Sequence, residues 1–313
     1  MVRALSTTYM VMENPLVNEI KQLKKEKNAI ILAHYYVNDE LQALADYVGD
    51  SFYLAKVAKD TDADVLVFCG VSFMGESAKM LNPEKKVLMP DLTADCPMAH
   101  MAQVEKIKEY REKYADLAVV CYINSTAELK SHSDVCVTSS NAVKIVKALP
   151  NQNIFFIPDV NLGRFVAEQV PEKNVILNDG FCPIHKEIKA SGVQAQKEKH
   201  PSALVMAHPE CEESVLKLAD YIGSTADMIS FAKNSGGTEF IVCTEAGIYC
   251  RLREDNPEKQ FYFGGEYLCR DMKLNTLEKV LHVLKTGENE MKLPTEICEK
   301  AVAPLDRMLE LAR

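Results

Sequence analysis

Three cysteines divide this chain at nearly equal intervals. Cys96 stands in Asp-Leu-Thr-Ala-Asp-Cys-Pro-Met, Cys182 in Asn-Asp-Gly-Phe-Cys-Pro-Ile-His and Cys269 in Gly-Gly-Glu-Tyr-Leu-Cys-Arg-Asp-Met, 86 and 87 residues apart. Each follows a short apolar run that reads as a strand, ending at Pro90, Leu177 and Phe263. Other residues recur with them. Strand-like runs end in His34, Tyr122 and His208, and further on Asp46 to Ser51 answers to Asp134 to Ser139 and Asp220 to Thr225, with offsets of 88 and 86 in both series. Repeats of this length exceed solenoid units, so the chain reads as three similar small domains.

Within each repeat, apolar strands alternate with helical patterns. Helical spacing in Pro15 to Lys27 precedes the strand to His34, and Val65 to Cys69 gives a further strand; the same order recurs from Val104 and from about Val193. Such alternation predicts parallel sheets covered on both faces. The fold class is therefore α/β, with units at 15–101, 102–187 and 188–275 and a C-terminal helical tail, 276–313, packing back on an earlier unit.

The 313 residues carry 36 Lys+Arg against 45 Asp+Glu, a net charge of −9, with no basic block. That balance disfavours nucleic acid and anionic membrane as partners. No apolar run is long enough to span a bilayer. Met1 to Asn14 has no apolar core or small-residue cleavage site, so no signal peptide is read there. Ten cysteines without a secretion signal point to the cytoplasm, and to metal or catalysis rather than disulfides. The chain contains no Cys-x-x-Cys, which argues against zinc ribbons and ferredoxins.

Ligands of parallel sheets bind beyond the carboxyl ends of the strands. His34, Tyr122 and His208 stand there, as do Ser51, Ser139 and Thr225 and the three cysteine loops. Arranged about a pseudo-threefold axis, three copies would bring Cys96, Cys182 and Cys269 together. Three thiolates suit a [4Fe-4S] cluster with one open iron, or zinc with a water; the symmetry alone does not choose between them. Ser51, Ser139 and Thr225 each precede a helical stretch and read as N-caps, whose helix ends would favour carboxylate or phosphate. Cys69, Cys121, Cys136, Cys211, Cys243, Cys250 and Cys298 read as core thiols, and His100, His132, His200 and His282, in helical or loop stretches without repeat partners, as ordinary residues.

An ordered set of stretches resembles the iron-sulfur quinolinate synthase A family: Ala33-His-Tyr-Tyr36, Gly49-Asp-Ser51, Ala94-Asp-Cys-Pro-Met-Ala99, Tyr122-Ile-Asn-Ser125, Thr138-Ser-Ser-Asn-Ala142, Asp159-Val-Asn-Leu-Gly-Arg164, Cys182-Pro-Ile-His185, His208-Pro-Glu-Cys211, Gly223-Ser-Thr225, Thr244-Glu245 and Cys269 to Glu278. The resemblance implies three homologous three-layer α/β/α domains with parallel sheets around a pseudo-threefold axis. It implies condensation of iminoaspartate with dihydroxyacetone phosphate to quinolinate, phosphate and water in NAD biosynthesis. The cofactor implied is a [4Fe-4S] cluster with three cysteine ligands, Cys96, Cys182 and Cys269, and one open iron acting as Lewis acid in the dehydration. Tyr36, Tyr122, Glu210, His34 and His208 match the catalytic set; Ser51, Asn124, Ser139, Thr225 and His185 match the substrate-binding set, shared with His34, Tyr122, His208 and Glu210. The partners implied are small-molecule substrates and a transient supplier of iminoaspartate. A three-thiolate zinc hydrolase and an iron-sulfur sensor or small-anion receptor are the competing readings.

Overall fold

The computed structural model describes residues 14–313; of the stretch read for a signal peptide, all but Asn14 lies outside the described residues. The strands are β1 (Ala29–His34), β2 (Tyr47–Gly49), β3 (Val65–Cys69) and β4 (Lys86–Leu88), then β5 (Leu117–Tyr122), β6 (Val135–Val137), β7 (Asn153–Ile157) and β8 (Asn174–Leu177), and finally β9 (Leu204–Ala207), β10 (Tyr221–Ile222), β11 (Glu239–Cys243) and β12 (Gln260–Tyr262). They form three four-stranded sheets, ordered β2-β1-β3-β4, β6-β5-β7-β8 and β10-β9-β11-β12, with every strand pairing parallel. One strand order used three times is the architecture that the repeat predicts. Among the described residues, no helix is long and apolar enough to cross a membrane.

The recurring aspartates have a common structural task. Pairing of β1 with β2 begins only at Leu32, which leaves the N–H of Ile31 without a strand partner, and Asp46 Oδ2 accepts it at 2.7 Å. Val119 and Val205 stand at the same place in their sheets, and Asp134 and Asp220 accept their N–H groups at 2.7 and 2.8 Å. A cation from the preceding helix faces each carboxylate: Lys24 at 2.5 Å, Arg111 at 2.9 Å and Lys197 at 3.7 Å. The short second strand and its aspartate therefore form one device, which fixes where the first strand starts.

The chain divides into two compact units. One comprises the described residues to Cys96 with Cys269–Pro294, the other Pro97–Leu268 with Thr295–Arg313. In the first, the amphipathic helix Leu277–Thr286 lies against the helix Pro15–Glu26, and the chain beyond it runs beside β4, with Met89 donating to Asn289 O at 3.0 Å and Met291 to Val87 O at 2.8 Å. In the second, the helix Thr295–Leu311 covers β6 and the helix Ala127–Ser131. Covering an edge strand removes an open row of backbone donors and acceptors. The helix Val160–Gln169 approaches its sheet closely because Gly163 has no side chain; a Cβ there would stand 2.7 Å from Leu177 and 2.9 Å from Phe156.

Candidate functional site

β1 and β5 end at His34 and Tyr122, β9 ends one residue before the equivalent His208, and two residues beyond these three stand Tyr36, Asn124 and Glu210. One position in three repeats thus carries a phenol, an amide and a carboxylate. His34 and His208 are oriented alike: Nδ1 accepts the backbone N–H of Tyr36 at 3.1 Å and of Glu210 at 3.3 Å, respectively. A backbone N–H can only donate, so each neutral ring carries its proton on Nε2. Both histidines therefore present an N–H donor at a strand end.

In the first unit, the segment after Cys269 braces the loop after β1. Lys273 Nζ donates to Tyr36 O at 2.8 Å, Asn38 Nδ2 to Asn275 O at 2.9 Å, and Asn275 Nδ2 to Gly70 O at 3.0 Å. The ring of Tyr36 stands edge-on to that of His34, 4.5 Å between centroids. Those contacts give Lys273 and Asn275 a structural task beside a cysteine.

In the second unit, Glu210 is the centre of a buried polar cluster. The Tyr122 hydroxyl donates to its Oε1 at 2.6 Å, His185 Nδ1 lies 2.7 Å from its Oε2, and Asn161 Nδ2 donates to its main-chain oxygen at 3.1 Å. His185 Nε2 meets Thr244 Oγ1 at 2.9 Å, and the ring of His185 stacks on that of His208 at 4.7 Å. Burial pushes the Glu210 carboxyl up, but the charge His185 can carry and the Tyr122 hydrogen bond outweigh it and hold the group below the usual carboxylate range. Asp159 goes the other way: burial and the Glu210 charge push it well up, against the N–H groups of Leu162 and Cys182. The pair thus places its negative charge on Glu210. Asn124 Oδ1 is buried and makes no hydrogen bond among the described residues.

The three hydroxyl residues are not N-caps. Asp50 caps the helix Ser51–Asp60, Asn141 precedes Ala142–Ala148, and Ser224 caps Thr225–Asn234 in a capping box with Asp227. Ser51 and Thr225 occupy the first helical position instead, because the residue before each already supplies the capping oxygen. Ser139 lies outside its helix, and its Oγ meets His208 Nε2 at 3.2 Å.

All ten cysteines are thiols. Burial pushes Cys69 and Cys211 well up and Cys243 up to about 12, as inert core thiols require. Cys96, Cys182 and Cys269 are half-buried, and each immediately precedes a helical turn, Pro97–His100, Pro183–Glu187 and Arg270–Lys273. Backbone N–H groups at the start of a turn favour thiolate, so the donor set suits a thiolate-held metal group. Two of the loops are held by carboxylates. Asp95, itself bonded to Ser72 Oγ, accepts the N–H of Cys96 at 2.8 Å, and Asp159 accepts that of Cys182 at 3.1 Å.

Thr244 and Asp159 were not singled out as site residues by the sequence reading. A signal existed. Cys69, Ile157 and Cys243 are in register against the first strands, so Asp159 and Glu245 occupy one repeat position, with Thr244 just before it. The same offset of 86 that relates Tyr122 to His208 also relates Asp159 to Glu245.

The model of the family described as Quinolinate synthetase A protein matches residues 18–310. Similar proteins named quinolinate synthase include one from Fusobacterium nucleatum subsp. nucleatum, 54% identical over 295 residues, covering 94% of this chain and 99% of the relative. Another, from Clostridioides difficile, is 51% identical over 302 residues and covers 96% and 99%. A third, from Aquifex aeolicus, is 48% identical over 303 residues and covers 95% and 94%. On its sheets, its strand-end residues and these matches, the chain belongs to the quinolinate synthetase A family of enzymes.

Proposed function

We propose that this chain is a quinolinate synthase that condenses iminoaspartate with dihydroxyacetone phosphate and releases inorganic phosphate and water. The observation that carries the reading, beside family membership, is the buried Glu210 carboxylate held between the Tyr122 phenol and His185 at strand ends.

The reaction needs anion binding and several proton transfers. For the first, the chain supplies the Nε2–H groups of His34 and His208, the hydroxyls of Ser51, Ser139 and Thr225, and the amide of Asn124. The starts of the helices Ser51–Asp60 and Thr225–Asn234 add positive dipole ends. For the second, the buried Glu210 carboxylate serves as the proton acceptor. Tyr122, bonded to its Oε1, passes a proton between substrate and carboxylate. His185, fixed by Thr244, stabilises the charge on Glu210, and Tyr36 supplies a second phenol. Cys96, Cys182 and Cys269 would hold a [4Fe-4S] cluster, which when bound supplies an iron without a protein ligand as Lewis acid for loss of hydroxyl. A reducing cytoplasm suits such thiols, and a transient supplier of iminoaspartate suits so unstable a substrate.

The test is anaerobic purification followed by iron and sulfide analysis and an assay with dihydroxyacetone phosphate and iminoaspartate made from oxaloacetate and ammonia. Brown protein with about four irons per chain that forms quinolinate, and Cys182→Ala protein that does neither, supports the reading. Colourless, zinc-containing protein that forms no quinolinate would defeat it in favour of a zinc hydrolase.

A further inference from the structure

Around Cys182 the second unit holds a donor set that needs neither Cys96 nor Cys269. The sulfur of Cys182, a ring nitrogen of His185 and a carboxylate oxygen of Glu210 all lie within 4.8 Å of one another. Cys182 and His185 are three residues apart across the start of a helix, which brings their side chains to one side. His185 and Glu210 are buried, at 2% and 3% exposure. His185 Nδ1 and Glu210 Oε2 approach to 2.7 Å, and Nδ1 makes no other hydrogen bond among the described residues.

Each donor has an outer partner on its far side. Thr244 Oγ1 meets His185 Nε2 at 2.9 Å, which leaves Nδ1 as the inward nitrogen. The Tyr122 hydroxyl is bonded to Glu210 Oε1 at 2.6 Å, which leaves Oε2 turned inward. Asp159 Oδ2 accepts the N–H of Cys182 at 3.1 Å and so fixes the loop that carries the sulfur. Ligands oriented by outer hydrogen bonds of this kind are characteristic of protein metal sites.

We propose that Cys182, His185 and Glu210 form a mononuclear site for a borderline divalent cation such as Zn²⁺, and that such a cation and an iron-sulfur cluster on Cys182 exclude one another. Sulfur, nitrogen and oxygen from three side chains with a fourth position open are a ligand set that Zn²⁺ accepts. One thiolate and one carboxylate balance the dication, so no net charge enters a buried place. Metal bonds of about 2.0 Å to nitrogen and oxygen set those two atoms roughly 3.3 Å apart in a tetrahedron. The 2.7 Å pair would open slightly on loading. Occupancy would also take Glu210 out of proton transfer, so the zinc form would be inactive. The exclusion rests on the iron-sulfur reading above, whereas the mononuclear site stands without it.

Full-length Cys96→Ala/Cys269→Ala protein, stripped of metal and kept anaerobic, is titrated with Co²⁺. One equivalent should bind with sulfur-to-cobalt charge transfer in the near ultraviolet and the visible bands of four-coordinate cobalt. Adding Cys182→Ser should abolish the charge transfer, and Thr244→Val should weaken binding by about 10–100-fold, with circular dichroism showing both variants folded. Cobalt that binds without the charge-transfer band, or a band that survives Cys182→Ser, would overturn the site. In the unsubstituted chain, one equivalent of Zn²⁺ loaded before iron and sulfide should suppress the brown absorbance; full assembly with zinc retained overturns the exclusion. A zinc-free control that assembles no cluster defeats the iron-sulfur reading and leaves the cobalt result standing.

Discussion

The hydroxyl of Tyr122 donates to Oε1 of Glu210 at 2.6 Å, joining the end of β5 to the loop that follows β9. Both groups are buried. If the bond is the route by which a proton reaches the carboxylate, the two residues act as one unit. Tyr122→Phe and Glu210→Gln should each lower turnover in quinolinate formation by about 10²–10⁴-fold. The double variant should fall little below the worse single one, since effects of residues acting together do not add. Multiplicative losses would show that the two act independently.

Asp46, Asp134 and Asp220 accept from Ile31, Val119 and Val205 in the same geometry. Asp134→Ala would leave the N–H of Val119 without its acceptor, which costs about 1–3 kcal/mol. Arg111→Met removes the partly exposed ion pair with Asp134, worth about 0–1 kcal/mol, and an exposed hydrogen bond to His132 O. Urea unfolding of the two variants should rank Asp134→Ala as clearly the more damaging. Equal losses would mean that the ion pair, not the backbone bond, is what the repeat retains.

These aspartates also show what the sequence could and could not disclose. The repeat was legible because offsets of 86 and 88 survive in residues of unlike chemistry, and each repeat folds into the same sheet. The task of Asp46 was not legible, since it depends on β2 starting one residue after the N–H that needs an acceptor. Ser51 and Thr225 were misplaced by one residue because two candidate caps stand side by side in Asp50-Ser51 and Ser224-Thr225. Thr244 and Asp159 lay in plain view, but their importance comes from what they touch, His185 and the N–H of Cys182. Nor does a sequence tell which nitrogen of His208 carries the proton; the backbone N–H of Glu210 decides that.

Asp91 links the loop before Cys96 to the helix Leu277–Thr286. Its carboxylate accepts from Thr93 N at 2.8 Å and from Lys279 Nζ at 2.6 Å. Partial burial pushes the carboxyl up, but these partners outweigh it and hold it below its ordinary value. A depressed carboxyl stabilises the fold above its unfolded value, near pH 4, and that stability is lost as pH falls through the folded value. Asp91→Asn should therefore flatten the acid side of the stability profile and leave the shape above pH 6 unchanged. An unaltered acid slope in unfolding measurements would remove Asp91 from that role.

Lys130 is fully buried, and its ammonium donates at 2.7 Å to the main-chain oxygen of Ser125, the residue after Asn124. Beside it, Cys121 faces Cys136 in register across β5 and β6. Burial pushes the Cys121 thiol up, yet the neighbouring Cys136 and Ser125 side chains and the Lys130 charge bring it down to about 7. Cys136 is pushed well up, first by burial and then by Cys121. A thiol lowered beside the ammonium, together with the Ser125 carbonyl that accepts from it, offsets the burial of a lysine in a core. A thiol lowered on folding stabilises the fold above its unfolded value of about 8.5; that contribution is lost as pH falls through 7. Stability of the chain should accordingly rise between about pH 7 and pH 8.5. Lys130→Met removes both the donor to Ser125 and the charge, so it should cost about 1–3 kcal/mol and abolish that rise, and Cys121→Ser should abolish the rise with a smaller loss. Urea unfolding across this pH range separates the two effects. A Lys130→Met protein that keeps the full pH dependence would show that the ammonium does not hold the Cys121 thiolate.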